Sequence, residues 1–542
     1  MKKSLKISLI VLAILFGLSK LGVWYLEQQF DSLINSNPTR AYDITYESFD
    51  LHSFFKGITL DKVKITPINN KKGTIVNGTV DYAKLNGFLW RKFLLSKSLS
   101  IDELLFVEPV FRVNILPDST KKTKGQTFQN FFNDILSRAD LDKFQIKNGS
   151  IVVKENDSIL KGEIHSLNLL ASEIETDSLI LTDIIPFKLG GLEINIDSAF
   201  YQLNDYTKAN FGHLKYSIAE KELLLNGLAI EYDENWVAIS EARGVQDDVI
   251  EFEIKKLRIS GMNLSSSFWT NLDIDANKME IDGLNLSLNR NKNLKRPPEV
   301  KKPMFKGMVD KIPTNIDLDS INITNTNIIY GELSANKHTT GYIKINDING
   351  CIIKFSTFPE RKKVFETLEA DFKARINDAA DMTINLSIPY NKDAFKLHTK
   401  VGQMDMTAFS ESLVPLLGVE INEGRMSHFE YFMDANFHQS QNSLVMDYEN
   451  LYLTVISEED DGTKHKKGFI SSIANAAIKH NNLSEDKGYQ TATYSTQRNI
   501  YRSPFQYIVA GILDGVKLII PAKGLQSLLK TNKKKKKRNK KR

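Results

Sequence analysis

The chain has 542 residues, 25% charged and 10% aromatic, which is the balance of a folded protein and not of a disordered one. One cysteine, Cys351, excludes a disulfide framework and a cysteine-based zinc site, and its apolar surroundings mark it as a core residue. The ten Lys and Arg of Lys530–Arg542 account for more than the whole formal net charge of +5, so the body is mildly acidic and lacks the basic surface of a nucleic-acid-binding fold.

Lys2, Lys3 and Lys6 surround the start of Ile7–Leu26, a 20-residue apolar stretch. As a helix it spans about 30 Å, the thickness of a bilayer core. Trp24 and Tyr25 stand at its far end, where an aromatic belt belongs, and Lys20 is close enough to that end to snorkel. Ile7–Ser19 alone would serve a cleaved signal peptide, but no small-x-small site precedes Trp24. The expectation is an uncleaved anchor with a cytoplasmic N-terminus and the remaining chain on the other side, since the lysines precede the span and Glu27 and Asp31 follow it.

Most of residues 40–455 reads as short strands of four to eight residues, punctuated by Asn, Asp, Gly and Pro. Ile44–Phe49, Thr74–Tyr82, Ile194–Phe200, Leu223–Tyr232, Leu284–Leu288, Gly341–Ile348 and Met382–Ile388 are examples. One phrase recurs, clearest at Leu318/Ile321/Ile323/Ile328. It returns at Ile101/Leu104/Phe106/Phe111, Leu141/Phe144/Ile146/Ile151 and Ile254/Leu257/Ile259/Leu264, and more loosely at Ile164/Leu167/Leu169/Ile174. Four fixed apolar positions match by chance in about 3% of frames at this composition, so the spacing alone decides little. The turn residues in a common slot carry the argument: Asn325-Thr326-Asn327, Glu108-Pro109, Asn148-Gly149 and Gly261. The phrase reads as a strand–turn–strand unit, at irregular intervals that exclude a solenoid of fixed period.

Phe128–Ser137 and Met406–Leu416 read as short helices, and Pro117–Gln126, Asn289–Lys302 and Glu458–Lys467 as loops. Asn289–Lys302, with Pro297-Pro298 and dense charge, is the best internal boundary. Phe469–His480 has amphipathic helical spacing. Ser503-Pro504 starts a further helix with a capping hydroxyl and a proline at its first position, and Pro521 ends it. The divisions expected are anchor 1–27, β-rich body 28–288, loop 289–302, β domain 303–457, helical segment 458–529 and basic tail 530–542. The nine histidines are scattered, and no nucleophile elbow, phosphate-cradling loop or HExxH occurs. The expectation is a protein without catalytic residues, metal or cofactor.

Three features give the chain a family likeness. The anchor leads into a β-rich body that includes Phe106-Val-Glu-Pro109-Val-Phe111. Gly402-Gln-Met-Asp-Met-Thr407, Gly424-Arg-Met-Ser-His-Phe429 and Met446-Asp-Tyr448-Glu-Asn-Leu451 follow in order. Arg502-Ser-Pro-Phe505 and Gly511-Ile-Leu-Asp-Gly515 mark the last helix. In these the chain resembles the AsmA-like proteins of Gram-negative envelopes, relatives of the TamB group and more distantly of bridge-like lipid-transfer proteins. The resemblance implies a mainly β protein, a transmembrane helix followed by an elongated groove-like β-sheet body, with α-helices near the C-terminus. It implies an inner-membrane, single-pass protein with a periplasmic body. Its function would be to bind and move phospholipid in an apolar groove for outer-membrane biogenesis or lipid homeostasis, with an envelope protein partner at its far end. Leu104, Phe106, Ile146, Leu257, Ile259, Ile321 and Ile323 are the candidate groove lining. Strands with one apolar face also pack as closed sandwiches, and the alternative function is an assembly or scaffolding factor for outer-membrane proteins with no lipid cavity.

The C-terminus suggests a second membrane contact. Phe505, Ile508 and Ile512 would lie at the headgroup boundary, with Lys533, Lys534, Lys535, Lys536, Lys537 and Arg538 on anionic lipid. The alternative has Phe505, Ile508, Ile512 and Leu513 capping the β-groove, with Gly511 and Gly515 letting the helix sit close to a sheet.

Overall fold

The computed structural model describes residues 20–32, 34–35, 42–52, 56–68, 74–96, 99–116, 139–175, 188–263, 273–335, 339–458, 464–466 and 474–521. The chain is mainly β and divides into two compact units, Met1–Asn226 with Leu264–Leu272, and Gly227–Asn263 with Asp273–Arg542. Asn289–Lys302 lies inside the second unit, where the Gln246 amide donates to the carbonyls of Lys292 and Leu294 and Lys302 N–H donates to Ile500.

In the first unit, residues 20–32 and 34–35 are helical. Tyr42–Thr45 (β1) and Ser48–His52 (β2) pair antiparallel with Gly57–Pro67 (β3), and β3 pairs with Thr74–Asn86 (β4). The short helix Trp90–Ser96 (α1) follows. Leu99–Val107 (β5) and Val110–Ile115 (β6) succeed one another along β4, and both run parallel to Ala139–Glu155 (β7). β7 pairs antiparallel with Ile159–Glu175 (β8). Lys188–Ile196 (β9) and Ser198–Asn204 (β10) share β8 as partner, with Thr207–Phe211 (β11) beside β10 and Leu214–Ser217 (β12) beside β9. β12 also meets the first residues of Glu222–Tyr232 (β13).

In the second unit, Trp236–Arg243 (α2) is capped by the Asn235 side chain and by Gly244 in the left-handed conformation. Val249–Met262 (β14) pairs antiparallel with Ile274–Asn291 (β15), β15 runs parallel to Ile316–Leu333 (β16), and β16 pairs antiparallel with Thr340–Ser356 (β17). Phe305–Val309 (α3) precedes β16. Antiparallel pairing continues through Thr367–Ile376 (β18), Ala380–Pro389 (β19) and Ala394–Val401 (β20). Met404–Asp405 (β21) and the helix Ser410–Leu417 (α4) lead to Val419–Asn436 (β22), which takes β20 on one side and Gln439–Glu458 (β23) on the other. Lys464–Lys466 (β24) and Ala492–Gln497 (β25) pair with opposite ends of β23, and Pro504–Ile519 (α5) closes the unit.

Several strands are far longer than the four to eight residues expected, reaching 18 in β16 and 20 in β23. The recurring phrase is the reason. Leu318–Ile328 is one uninterrupted strand, not a strand–turn–strand unit. Its turn residue Asn325 is a left-handed bulge within the ladder, with φ 50°, and the register shifts there. Glu108-Pro109 is the copy where the strand does break, between β5 and β6. Each bulge flips the alternation of faces, so residues of opposite parity before and after it share one face.

The bulges line up across neighbouring strands, and the two units carry the same set. In β5–β8 the left-handed positions are Glu108, Asn148 and Ser166, and in β15–β17 they are Gly283, Asn325 and Asp347. A second line follows the same plan, with Gly87 and Glu173 in one unit and Gly261 and Lys354 in the other. The fixing bonds also recur. Asn148 N–H donates to the Asn168 side chain at 3.0 Å, and the Asn168 amide donates to the Ser166 carbonyl at 3.1 Å. Asn325 N–H donates to the Asn349 side chain at 3.1 Å, and the Asn349 amide donates to the Asp347 carbonyl at 2.7 Å. Thus β4–β8 and β14–β17 are two copies of one creased module.

Other expectations fare unevenly. Ile44–Phe49 and Ile194–Phe200 each break into two strands, because Tyr46-Glu47 and Asp197 leave the ladder. Met406–Leu416 is helical as a 3-10 turn followed by α4. Phe128–Ser137 lies outside the described residues, as do residues 1–19 of the expected anchor. Among the described residues no helix is long and apolar enough to cross a membrane. Of Phe469–His480, residues 474–477 are helical, and the expected helical segment 458–529 also contains β24 and β25. Cys351 is half-buried and lies level with Asn322, on the polar side of β17.

The bulge geometry makes a direct prediction. Asn325→Val places a β-branched residue at a left-handed position and removes the amide bond to Asp282, at a cost of about 1–3 kcal/mol. Asn325→Gly keeps the backbone relaxed and costs under about 1 kcal/mol. Hydrogen exchange of the β16 and β17 amides checks this, with roughly tenfold or greater acceleration for valine and little for glycine.

Candidate functional site

Registered partners share a sheet face, so the ladders show which side chains stand together. In the first unit one row runs Leu60, Ala83, Phe106, Ile146, Leu169, Ile194, Tyr216 and Leu223, in which the Tyr216 hydroxyl is the one polar group. Beside it run Ile58, Leu85, Leu104, Phe144, Ala171 and Leu192. Phe106 and Phe144 meet edge-on at 5.5 Å. In the second unit Ile259, Met279, Ile321, Ile352, Ala370, Leu386, Leu397 and Met433 form one row. The next is Leu257, Ile281, Ile323, Gly350, Phe372 and Ile384, continuing through Thr399 to Tyr431, Leu444 and Ala492.

All seven residues proposed as lining fall on these rows. Leu104, Phe106 and Ile146 stand together in the first unit, and Leu257, Ile259, Ile321 and Ile323 in the second. On the strand between the last two pairs, sequence reading found Leu284–Leu288 and missed the copy of the phrase. Ala276/Met279/Ile281/Leu286 on β15 has the same spacing as the other copies, and its weak first residue and buried Gly283 conceal it.

The opposite face is polar. In β14–β16, Arg258, Glu280 and Asn322 stand level, as do Lys256, Asp282 and Thr324. Glu280 pairs with Lys278 at 2.7 Å and Arg258 at 3.6 Å. The Lys278 ammonium holds the Glu280 carboxyl below its ordinary range, and the Thr324 hydroxyl and Asn325 amide do the same for Asp282. β14–β16 therefore have a wet side and an apolar side.

Cover over the apolar side changes along the second unit. Leu257, Ile281, Ile323, Phe372 and Ile384 are half-buried. Tyr431, Leu444 and Ala492, further along the same row, are buried at 0%, 0% and 4% exposure. The difference is α5, which lies on β22, β23 and β25 through Tyr507, Gly511, Gly515 and Ile519. Phe395 and Phe305 extend this core, 5.1 Å apart. Two tyrosine hydroxyls within it are paired: Tyr431 Oη–H donates to Asn442 at 3.0 Å, and Tyr494 Oη–H donates to the Gly511 carbonyl at 2.7 Å. Burial pushes both hydroxyls far above their ordinary range.

α5 is thus a cap, seated through Gly511 and Gly515 with Ile508 and Ile512 against the core, while Phe505 and Leu513 remain exposed. Phe505 is 59% exposed and Leu513 41%, with Ile508 and Ile512 half-buried. Lys533, Lys534, Lys535, Lys536, Lys537 and Arg538 lie outside the described residues. A cleft of 610 Å³ elsewhere in the second unit is walled by Gln403, Asp405, Thr407, Glu423, Arg425 and Asn450. Part of this lining is paired: Asp405 accepts from the Thr407 amide and hydroxyl, and the Gln403 side chain, with its amide turned over, accepts from the Arg425 guanidinium. Among the described residues no group of three His, Cys, Asp or Glu could hold a metal ion.

Comparison with protein-family models, with curated proteins and with solved structures finds no match to this chain.

The seating of α5 is testable. A Cβ on Gly511 would collide with the Tyr431 hydroxyl, and one on Gly515 would meet the Tyr494 hydroxyl and Leu444. Gly511→Ala and Gly515→Ala are each expected to destabilise this core by about 1–3 kcal/mol. Leu513→Ser, on the exposed face, is expected to change it by less than about 0.5 kcal/mol. Limited proteolysis between Ala492 and Ile519 reads the difference.

Proposed function

We propose that the protein is a membrane-anchored lipid carrier of the cell envelope, holding phospholipid acyl chains on the apolar face of its β-sheets. The observation that carries this reading is the row Leu257, Ile281, Ile323, Phe372 and Ile384. It is continuous, apolar and half-buried, whereas the same row becomes fully buried where α5 covers it. Each acyl CH₂ withdrawn from water is worth about 0.8 kcal/mol, so such a surface offsets the cost of extracting a chain from a bilayer without a covalent step. The polar opposite face keeps the sheet in water. The anchor in Ile7–Leu26 supplies the membrane, with the body in the periplasm, and the lipid is delivered toward the outer membrane through an envelope protein partner.

The second reading is an assembly factor for outer-membrane proteins. The filled interior under α5, with Phe395, Tyr431, Met433 and Tyr448 fully buried, favours it for that part of the chain.

A photo-crosslinking residue separates the two. Placed at Ile323 or Leu257 in the full chain, in cells, it is expected to yield phospholipid adducts by mass spectrometry. Placed at Asn322 or Arg258 on the polar side, it is expected to yield several-fold fewer. Ile281→Asp puts a charge in the row and is expected to lower lipid adducts at position 323 several-fold while the protein still folds, because the site is half-exposed. Protein adducts at Ile323 without lipid would replace this reading with the assembly factor.

A further inference from the structure

The N-terminal helix is locked to the first unit at its far end. Phe30 is 2% exposed and packs on Phe49 at 5.6 Å and Phe88 at 6.3 Å. Asn35 donates to the Ile44 carbonyl at 2.9 Å and accepts from the Ile44 amide at 3.1 Å, joining the helix to β1. Phe88 in turn is 1% exposed and packs at 4.4 Å on Trp90, the first residue of α1. The helix and α1 are therefore held by one aromatic cluster.

Both elements turn large apolar side chains outward. On the helix they are Leu21 at 63%, Trp24 at 59% and Tyr25 at 52% exposure. On and beside α1 they are Leu89 at 49%, Leu94 at 41% and Leu95 at 78%. Single exposed apolar residues are ordinary, but here six stand on two elements tied to one cluster. Two facts identify the occupant. The apolar stretch that begins at Ile7 runs directly into this helix, so whatever receives that stretch lies next to these side chains. Residues 83–101 contain four basic side chains, Lys84, Arg91, Lys92 and Lys97, and no acid. Arg91 and Lys92 are exposed beside the leucines.

We propose that α1 is a second membrane contact. Leu89, Leu94 and Leu95, with Leu21, Trp24 and Tyr25, seat in the headgroup–acyl boundary of the bilayer that Ile7–Leu26 enters, and Arg91 and Lys92 lie on its anionic headgroups. The proposal rests on the anchor reading and not on lipid transport. Its consequence is mechanical: β1–β4 are fixed against the bilayer surface and do not swing on the anchor.

The test uses the full chain with Cys351→Ser, reconstituted in nanodiscs of phosphatidylethanolamine and phosphatidylglycerol. A spin label is attached through Leu95→Cys or, as a water-exposed reference, Val300→Cys. Collision with oxygen is compared with collision with a water-soluble nickel chelate. The label at position 95 is expected to favour oxygen several-fold more than the label at 300, and Arg91→Glu with Lys92→Glu is expected to reduce that preference. Equal preference at both positions, in protein retained on the nanodiscs, overturns the second contact and leaves the anchor standing. Protein that never enters the nanodiscs overturns the anchor and this proposal together. A label at 95 shielded from both reagents, in an oligomer, assigns these side chains to a second copy and overturns the membrane contact.

Discussion

A long strand keeps one face apolar only while every residue continues the alternation, and each bulge reverses it. Everything distinctive in this structure follows from how that reversal is managed. The strands of each unit bulge at the same level, so a reversal in one is matched in the next and the apolar rows stay continuous. A left-handed non-glycine residue costs roughly 1–2 kcal/mol. Asn tolerates the conformation best, and the paired side-chain to backbone bonds at Asn148–Asn168 and Asn325–Asn349 return about 1 kcal/mol each. The crease lets strands of 17 to 18 residues bend without exchanging their faces.

From continuous rows come two properties that the proposed carrier would use: an unbroken apolar side and a polar side that faces water. Local cover then decides what each part can do. Under α5 the apolar side is a filled core with buried tyrosines and paired amides. Away from α5, over β14–β19, the row Leu257, Ile281, Ile323, Phe372 and Ile384 is half-covered, while Ile259, Ile321 and Ala370 in the row beside it are buried. One sheet design thus serves as structural core in one place and as candidate binding surface in another.

Much of this was legible in the sequence. The β-rich body was plain from short apolar runs separated by Asn, Asp and Gly, and the α5 boundaries were set by Ser503-Pro504 and Pro521. The 3-2-5 spacing of the recurring phrase marked the right residues, because it is what two bulges leave on one face. Its meaning was misread. Asn325-Thr326-Asn327 is turn chemistry in isolation, and only the neighbouring strands, creased at the same level, keep it within a ladder. The division at Asn226/Gly227 was hidden for a similar reason, since it falls within β13 and not in a loop. The close seating of α5 was legible in Gly511 and Gly515, where close approach matters more than area, whereas the exposure of Phe505 and Leu513 was not.

The central claim is that the half-covered rows of the second unit hold acyl chains. A density map of the full chain, taken from cells into nanodiscs, tests it most directly. The account predicts tubular density of acyl width over Leu257, Ile281 and Ile323, in van der Waals contact with them and absent from the Arg258–Glu280 side. Protein side chains closing over that row, or ordered water in contact with it, would contradict the account.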